Sequence, residues 1–324
     1  MQMQDVFRLY GEDLKQVEKH MEGYLRSEVR LIPEIIRHII DSGGKRFRPL
    51  LLMAAAQLCG YEGTRRYPLA AVIEFIHTAT LLHDDVIDEA DTRRGKSSAN
   101  QVWGNAASVL VGDFLYSKSF RLLTEYGNLE IIKLLSTTTN IMSEGEVLQL
   151  IKRGDVGITK ADYLSIINKK TAVLISAACA LGGHLGEAAP DRIEALAQYG
   201  LRVGAAFQMT DDTLDYVAQT EEFGKAIGKD LAEGKLTLPL IRTMEKGSAE
   251  EKNRMTTLLK KAERTPGDIG EILTLLHRYD GIPYTLDKAR NLITEAKQML
   301  SVFPDASPKA ALLAVADYII DRKL

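Results

Sequence analysis

Two clusters of aspartate carry the chemistry in this chain. In HTATLLHDDVIDEADTRRGK, residues 77–96, Asp84 and Asp88 are i,i+4 neighbours at helical period, with side chains about 5–6 Å apart on one face. Asp88 falls between Asp84 and Asp85 in angle, so three carboxylates share a wedge roughly 100° wide. Like charges at that spacing cost about 0.2–0.5 kcal/mol per pair in a free helix. A hard divalent cation with oxygen ligands relieves them. An acidic run by itself is usually a solvated helix face. Here the DDxxD spacing recurs at Asp211, Asp212 and Asp215, and both copies close an apolar helical stretch, AVIEFIHTATLLHDD and LRVGAAFQMTDD. Two matched clusters at the ends of core helices are expected to be facing halves of one polynuclear metal site.

Cations accompany the acids. Arg93, Arg94, Gly95 and Lys96 follow the first cluster directly, as they would where a metal and a phosphate-bearing ligand meet at a helix end. The loop GGKRFRP, residues 43–49, sets Lys45, Arg46 and Arg48 behind two glycines. Glycines end a helix and let backbone approach a ligand. The choice is between a helix cap with basic residues complementing the dipole and a diphosphate clamp. His77 stands two turns before Asp84, about 10 Å up the same face. A lone histidine on an apolar face is usually core, but the shared register makes it a candidate. Lys169, Lys170 and Thr171 interrupt the apolar stretch DYLSIINKKTAVLISAACA, either as a solvent patch or as a cation and a hydroxyl reaching a phosphate. Gln208 precedes Asp211 and Asp212 by three and four positions and so lines their face. Lys225, Lys229 and Lys235 lie in the glycine-rich loop beyond, as a lid over an anionic substrate would.

These residues need long helices to position them, and the apolar periodicity supplies those. Strand signals are weak. Helices are expected over 5–28, 33–42 with Pro33 in the first turn, from Pro49, and over 68–90, 101–126, 129–152, 160–185 and 190–217. Gly224, Gly228 and Gly234 break the chain, Pro239 restarts it, and shorter helices follow from about 248. No low-complexity linker interrupts this pattern. The expected fold is all-α, one domain over residues 1–324. The composition, 45% hydrophobic and 26% charged, is ordinary for a soluble protein. The net charge of −3 gives no global pull toward nucleic acid or anionic lipid. Cys59 and Cys179 sit in apolar runs and are expected as buried free thiols in a reducing compartment. The polar start MQMQDVFRLYGEDLKQ lacks an apolar targeting segment, and no unbroken apolar run is long enough to span a bilayer. The cytoplasm is the expected location.

With these residues in hand, the chain resembles the trans-isoprenyl diphosphate synthases. The likeness is carried by GGKRFRP at 43–49, IHTATLLHDDVIDEADTRRG at 76–95, KT at 170–171, GAAFQMTDDTLD at 204–215 and GKAIGKDLAEGK at 224–235. The resemblance implies an antiparallel helical bundle around a central cavity, usually dimeric. It implies about three Mg²⁺ ions holding an allylic diphosphate, with Asp84, Asp88 and Asp211 as direct ligands and Asp85, Asp212 and Asp215 as supporting ones. Arg93, Lys170, Thr171, Gln208, Lys225 and Lys235 match positions that contact the allylic diphosphate. Lys45, Arg48, His77 and Arg94 match the isopentenyl diphosphate site. Arg46, Lys169 and Lys229 belong to the same motifs without an expected direct contact. In the family the departing diphosphate takes the proton released on condensation.

Ala79 and Thr80, just upstream of Asp84, are small where the resemblance puts chain-stopping aromatics in short-chain enzymes. A long-chain product is therefore expected, roughly six to eight isoprene units, suited to a quinone side chain. The C-terminal ALLAVADYIIDRKL resembles the catalytic subunit of heptaprenyl diphosphate synthases, so both a homodimer and a heterodimer with a small non-catalytic subunit stay open, as does peripheral membrane association. The competing functions are a short-chain synthase and a class I terpene cyclase. A cyclase carries a different second metal motif and lacks GGKRFRP. A silent regulatory subunit would have lost one acid cluster. A ferritin-like di-metal bundle would need Glu-x-x-His ligands that the core stretches do not have.

Overall fold

The structure is a computed structural model describing residues 1–44, 46–217, 229–261 and 263–321. Helices dominate it, as the periodicity requires. In order they are α1 (Met3–Tyr24), α2 (Leu31–Ile40), α3 (Phe47–Leu58), α4 (Arg66–Ile87), α5 (Ala99–Trp103), α6 (Asn105–Tyr126), α7 (Leu129–Lys152), α8 (Lys160–Ile167), α9 (Val173–Leu185) and α10 (Pro190–Val217). Then come α11 (Lys229–Ala232), α12 (Leu238–Lys246), α13 (Ala249–Leu259), α14 (Pro266–Arg278), α15 (Gly281–Met299) and α16 (Ser307–Asp321).

Two compact units divide the chain. The first comprises Met1–Thr139, Leu174–Ala197 and Leu300–Ala314; the second comprises Asn140–Val173, Gln198–Met299 and Val315–Leu324. In the first, α4 packs on α6, α1 and α3. The helix α1 faces it with Val6, Tyr10, Val17 and Met21, all buried, a spacing that keeps one stripe inward. The helix α3 is buried almost all round because Leu50 through Ala56 carry no polar group. In the second unit α12 packs against α15 and α14. Ser248 and Thr265 cap α13 and α14, each accepting from the backbone three residues on, which satisfies donors a helix start leaves open.

Three local features depart from the expected helices. The segment 101–126 is broken at Gly104, whose φ of 81° and ψ of 161° suit glycine alone. After α4 the chain makes a small hairpin, Thr92–Arg93 paired with Lys96–Ser97. Its turn residues Arg94 and Gly95 both have positive φ, 51° and 78°, as a type I′ turn demands. Finally, 160–185 is not one α-helix: residues Asn168–Ala172 form a π turn, in which the Val173 N–H bonds the Asn168 carbonyl five residues back. By length and composition 160–185 could cross a bilayer, but more than half of its most apolar window is buried inside the protein.

Candidate active site

In the first unit the cations converge on the foot of α4. Arg46 has left-handed backbone, φ 46°, and its guanidinium reaches Glu18 at 3.3 Å and the buried Glu74 at 3.6 Å. The Arg93 guanidinium binds the fully buried Asp85, Nη2 to Oδ1 at 2.6 Å, and Nε donates to the same oxygen. The tight hairpin is what brings Arg93 back over the helix it has just left. Arg94 lies against Gly44, where a Cβ would come within 3.1 Å of its Nη1. Burial and the neighbouring Arg93 hold the Arg94 pKa below its ordinary value, with Glu74 opposing. Burial also lowers Arg48, again opposed by Glu74, and its buried Nε has no hydrogen-bond partner among the described residues.

His77 stands among these arginines. Burial first, then the fields of Arg48, Arg94, Arg93 and Arg46, push its pKa well below 6.5, so the ring is neutral. The carboxylates sort the four arginines: Arg46 and Arg93 are held in ion pairs, while among the described residues Arg48 and Arg94 are not. An anion arriving here would complete the pair that lacks carboxylates.

In the second unit a cleft of about 120 Å³ gathers Lys170, Thr171, Gln208, Asp212 and Lys235 from three separate motifs. Asp212 is buried and accepts from Tyr163 Oη at 2.5 Å and Gln208 Nε2 at 2.8 Å. Burial raises its pKa to about 7, and Asp211 and Asp215 add to that, while the Tyr163 and Gln208 hydrogen bonds oppose it. Thr171 Oγ1 donates to Gln208 Oε1 at 2.9 Å. Lys170 Nζ binds Glu146 at 2.6 Å and Gln149 at 2.9 Å. Lys235 pairs with Glu233 at 2.7 Å. Lys169 points elsewhere, to Glu144 at 2.7 Å. Asp215 accepts the backbone N–H of Asp230 at 3.0 Å. Burial raises Asp230 well above its ordinary value, with Asp212 and Asp215 adding to it.

The donor chemistry of both clusters suits Mg²⁺. All six side chains are carboxylates, and Mg²⁺ takes one or two of them, with phosphate oxygens and water completing an octahedron. Asp84 and Asp88 are half-buried and Asp211 is exposed. Asp85 and Asp212 are committed inward, to Arg93 and to Tyr163 with Gln208. Among the described residues no three metal-ligating side chains already converge. Lys45 and Lys225, both expected site residues, lie outside the described residues. Ala79 is fully buried. Thr80 is half-buried, its hydroxyl donating to the His77 carbonyl at 2.7 Å.

Sequence reasoning missed Tyr163, Glu74, Glu146, Gln149 and Asp230. For Glu74 a signal existed: a lone carboxylate inside the apolar run AAVIEFI must have a buried partner. Tyr163 carried no signal, because an aromatic at helical spacing reads as core.

An all-α chain with twin aspartate motifs, arginines that lack carboxylate partners among the described residues and a cleft that gathers lysine, threonine, glutamine and aspartate points to the class of metal-dependent enzymes that act on diphosphates. Residues 29–276 match the family model for polyprenyl synthetase, and the chain belongs to that family. It is similar to the octaprenyl diphosphate synthase of Escherichia coli K12, 40% identical over 322 residues and 99% of each chain. Its structure is similar to that of a decaprenyl diphosphate synthase from Rhodobacter capsulatus, with TM-score 0.94, 39% identity and 99% of both chains covered. A polyprenyl synthase from Caulobacter crescentus CB15, complexed with calcium and isoprenyl diphosphate, also gives TM-score 0.94 at 39% identity, over 99% of this chain and 98% of that one. The chain is a prenyltransferase with the all-α fold of these enzymes. The family depends on Mg²⁺ and joins isopentenyl diphosphate to an allylic diphosphate.

Proposed function

We propose that this enzyme is a long-chain (E)-polyprenyl diphosphate synthase, extending an allylic diphosphate such as farnesyl diphosphate and supplying a quinone side chain. The observation that carries this reading is full-length similarity to octaprenyl and decaprenyl diphosphate synthases. Asp84, Asp88 and Asp211 are the direct ligands of about three Mg²⁺ ions, and Asp85, Asp212 and Asp215 orient them from behind. Bound Mg²⁺ supplies Lewis acidity toward the diphosphate leaving group.

The remaining work falls to the chain itself. Arg93, Lys170, Thr171, Gln208, Lys225 and Lys235 grip the allylic diphosphate and stabilise the charge it gathers as the allylic C–O bond breaks, the electron pair leaving with oxygen. Lys45, Arg48, His77 and Arg94 hold isopentenyl diphosphate, whose double bond attacks the allylic cation to form the new C–C bond. The proton then lost from the condensed product passes to the departing diphosphate. Apolar helix faces exclude water, which would quench the cation. Neutral His77 can donate to one phosphate oxygen without adding to the crowd of positive charge.

A homodimer is the proposed assembly. Val109 and Leu110 are 38% and 66% exposed on α6, with Phe120 at 38% further along it, apolar side chains that a second copy of the chain would cover. Cys179 is buried as expected, whereas Cys59, at the C-terminal end of its helix, is only half-buried; both are free, which supports a reducing compartment, the cytoplasm. The test is mass analysis of products from farnesyl and isopentenyl diphosphates with Mg²⁺, using the protein expressed alone and sized by light scattering. A dominant fifteen- or twenty-carbon product would refute the long-chain reading. Hydrocarbon released without isopentenyl diphosphate would refute the synthase itself, and activity only with a second subunit would refute the homodimer.

A further inference from the structure

The helical run from Lys160 changes pitch at Asn168–Ala172, and the cause lies on its neighbours. A π turn carries one extra residue, is rare and occurs frequently at functional sites. The sequence NKKTA has neither proline nor glycine to force one. Two glycines flank it instead. A Cβ on Gly145 of α7 would stand 2.8 Å from both Lys169 Cβ and Lys170 N. A Cβ on Gly204 of α10 would stand 2.6 Å from Ala172 Cα. Both flanking backbones therefore meet the turn at a distance only glycine permits.

Each glycine is followed four residues later, on the same face, by a glutamine: GEVLQ at 145–149 and GAAFQ at 204–208. Gln149 accepts from Lys170 Nζ and Gln208 from Thr171 Oγ1, both at 2.9 Å. Two consecutive side chains of the turn are thus received by two different helices. From Gln208 the chain of hydrogen bonds continues to Asp212.

We propose that Gly145 and Gly204 are positioning residues for prenyl transfer: paired G-x-x-x-Q segments that clamp the π turn and hold Lys170 and Thr171 in register for the allylic diphosphate. This rests on the reading of Lys170 and Thr171 as diphosphate contacts. The test is steady-state kinetics of full-length Gly145→Ala and Gly204→Ala, with Gly11→Ala, whose Cβ would meet nothing within 4 Å, as control. In the clamp variants kcat/KM for farnesyl diphosphate falls roughly ten- to hundredfold, while KM for isopentenyl diphosphate stays within about twofold. Thermal unfolding stays cooperative, since alanine's better helix propensity offsets part of the strain. Gly11→Ala behaves as the parent enzyme.

Should a clamp variant fail to fold, deletion of Asn168 removes the extra residue directly and is expected to give a folded enzyme with the same loss toward farnesyl diphosphate. Parent-like allylic kinetics in the glycine variants, or equal loss toward both substrates in step with lost folded protein, would overturn the proposal. Lys170→Ala and Thr171→Ala separate the two ideas. If they leave allylic KM unchanged, the diphosphate contacts are misassigned. If they raise it while the glycine variants do not, the clamp alone is wrong.

Discussion

His77 shows how far single residues could be read. Its register with Asp84 marked it for function, but its charge state comes from folding, which half-buries the ring and sets it in the field of four arginines. The consequence can be measured. The folded protein holds the His77 pKa well below 6.5, whereas the unfolded chain protonates it near that value. Below that pH the unfolded state binds the extra proton, so stability falls as pH drops through and below 6.5. His77→Gln keeps a neutral polar side chain and removes the titration. Urea midpoints measured from about pH 8 down to 5 should decline less steeply in the variant than in the parent. Parallel profiles would mean that His77 takes its proton freely in the folded state. The aspartates were legible as two triads because spacing alone defines them. Their division of labour was not, since the partners of Asp85 and Asp212 come from a hairpin turn and from a tyrosine seven residues before Lys170.

At the scale of elements, long helices with periodic apolar faces were recoverable: 129–152 matches its expected bounds at both ends, and the helix expected from 190 begins at Pro190. The breaks were less visible. Gly104 breaks its helix through a backbone conformation that glycine alone adopts, with no neighbour within 4 Å of where a Cβ would stand, whereas at the π turn the close approach of two neighbouring backbones accompanies a change of pitch that the local sequence does not announce. Gly182 is a further case. It lies in α9 and faces α3, where a Cβ would stand 2.6 Å from Ala55 Cβ and from Ala56 N. Overpacking costs about 1–3 kcal/mol, and alanine recovers about 1 kcal/mol of helix propensity, so Gly182→Ala should destabilise by roughly 1 kcal/mol net. Chemical denaturation would show this as a lower midpoint at unchanged slope. A neutral or stabilising result would show that α3 and α9 can separate at no cost.

For the whole molecule the open quantity is product length, a property no single motif encodes. The two small residues before Asp84 differ in their surroundings. Ala79 has no exposed surface, so a larger side chain there must first displace packed neighbours and would destabilise the enzyme as well as alter its product. Thr80 keeps partial exposure, and its hydroxyl is already satisfied by its own helix, so what it offers outward is a methyl group. Thr80→Phe replaces that methyl with an aromatic ring one helical turn before Asp84, and an aromatic of that size brings about 150–250 Å² of side-chain surface into the space it fills. A prenyl chain growing past this position would meet the ring early. The variant should fold as the parent does, keep its turnover of farnesyl diphosphate within about threefold, a change of under 1 kcal/mol, and shift its dominant product to fewer isoprene units by mass analysis. An unchanged product distribution, with the ring accommodated and activity kept, would place the growing chain on another face of α4 and move the search for the length determinant to the helices packed against it.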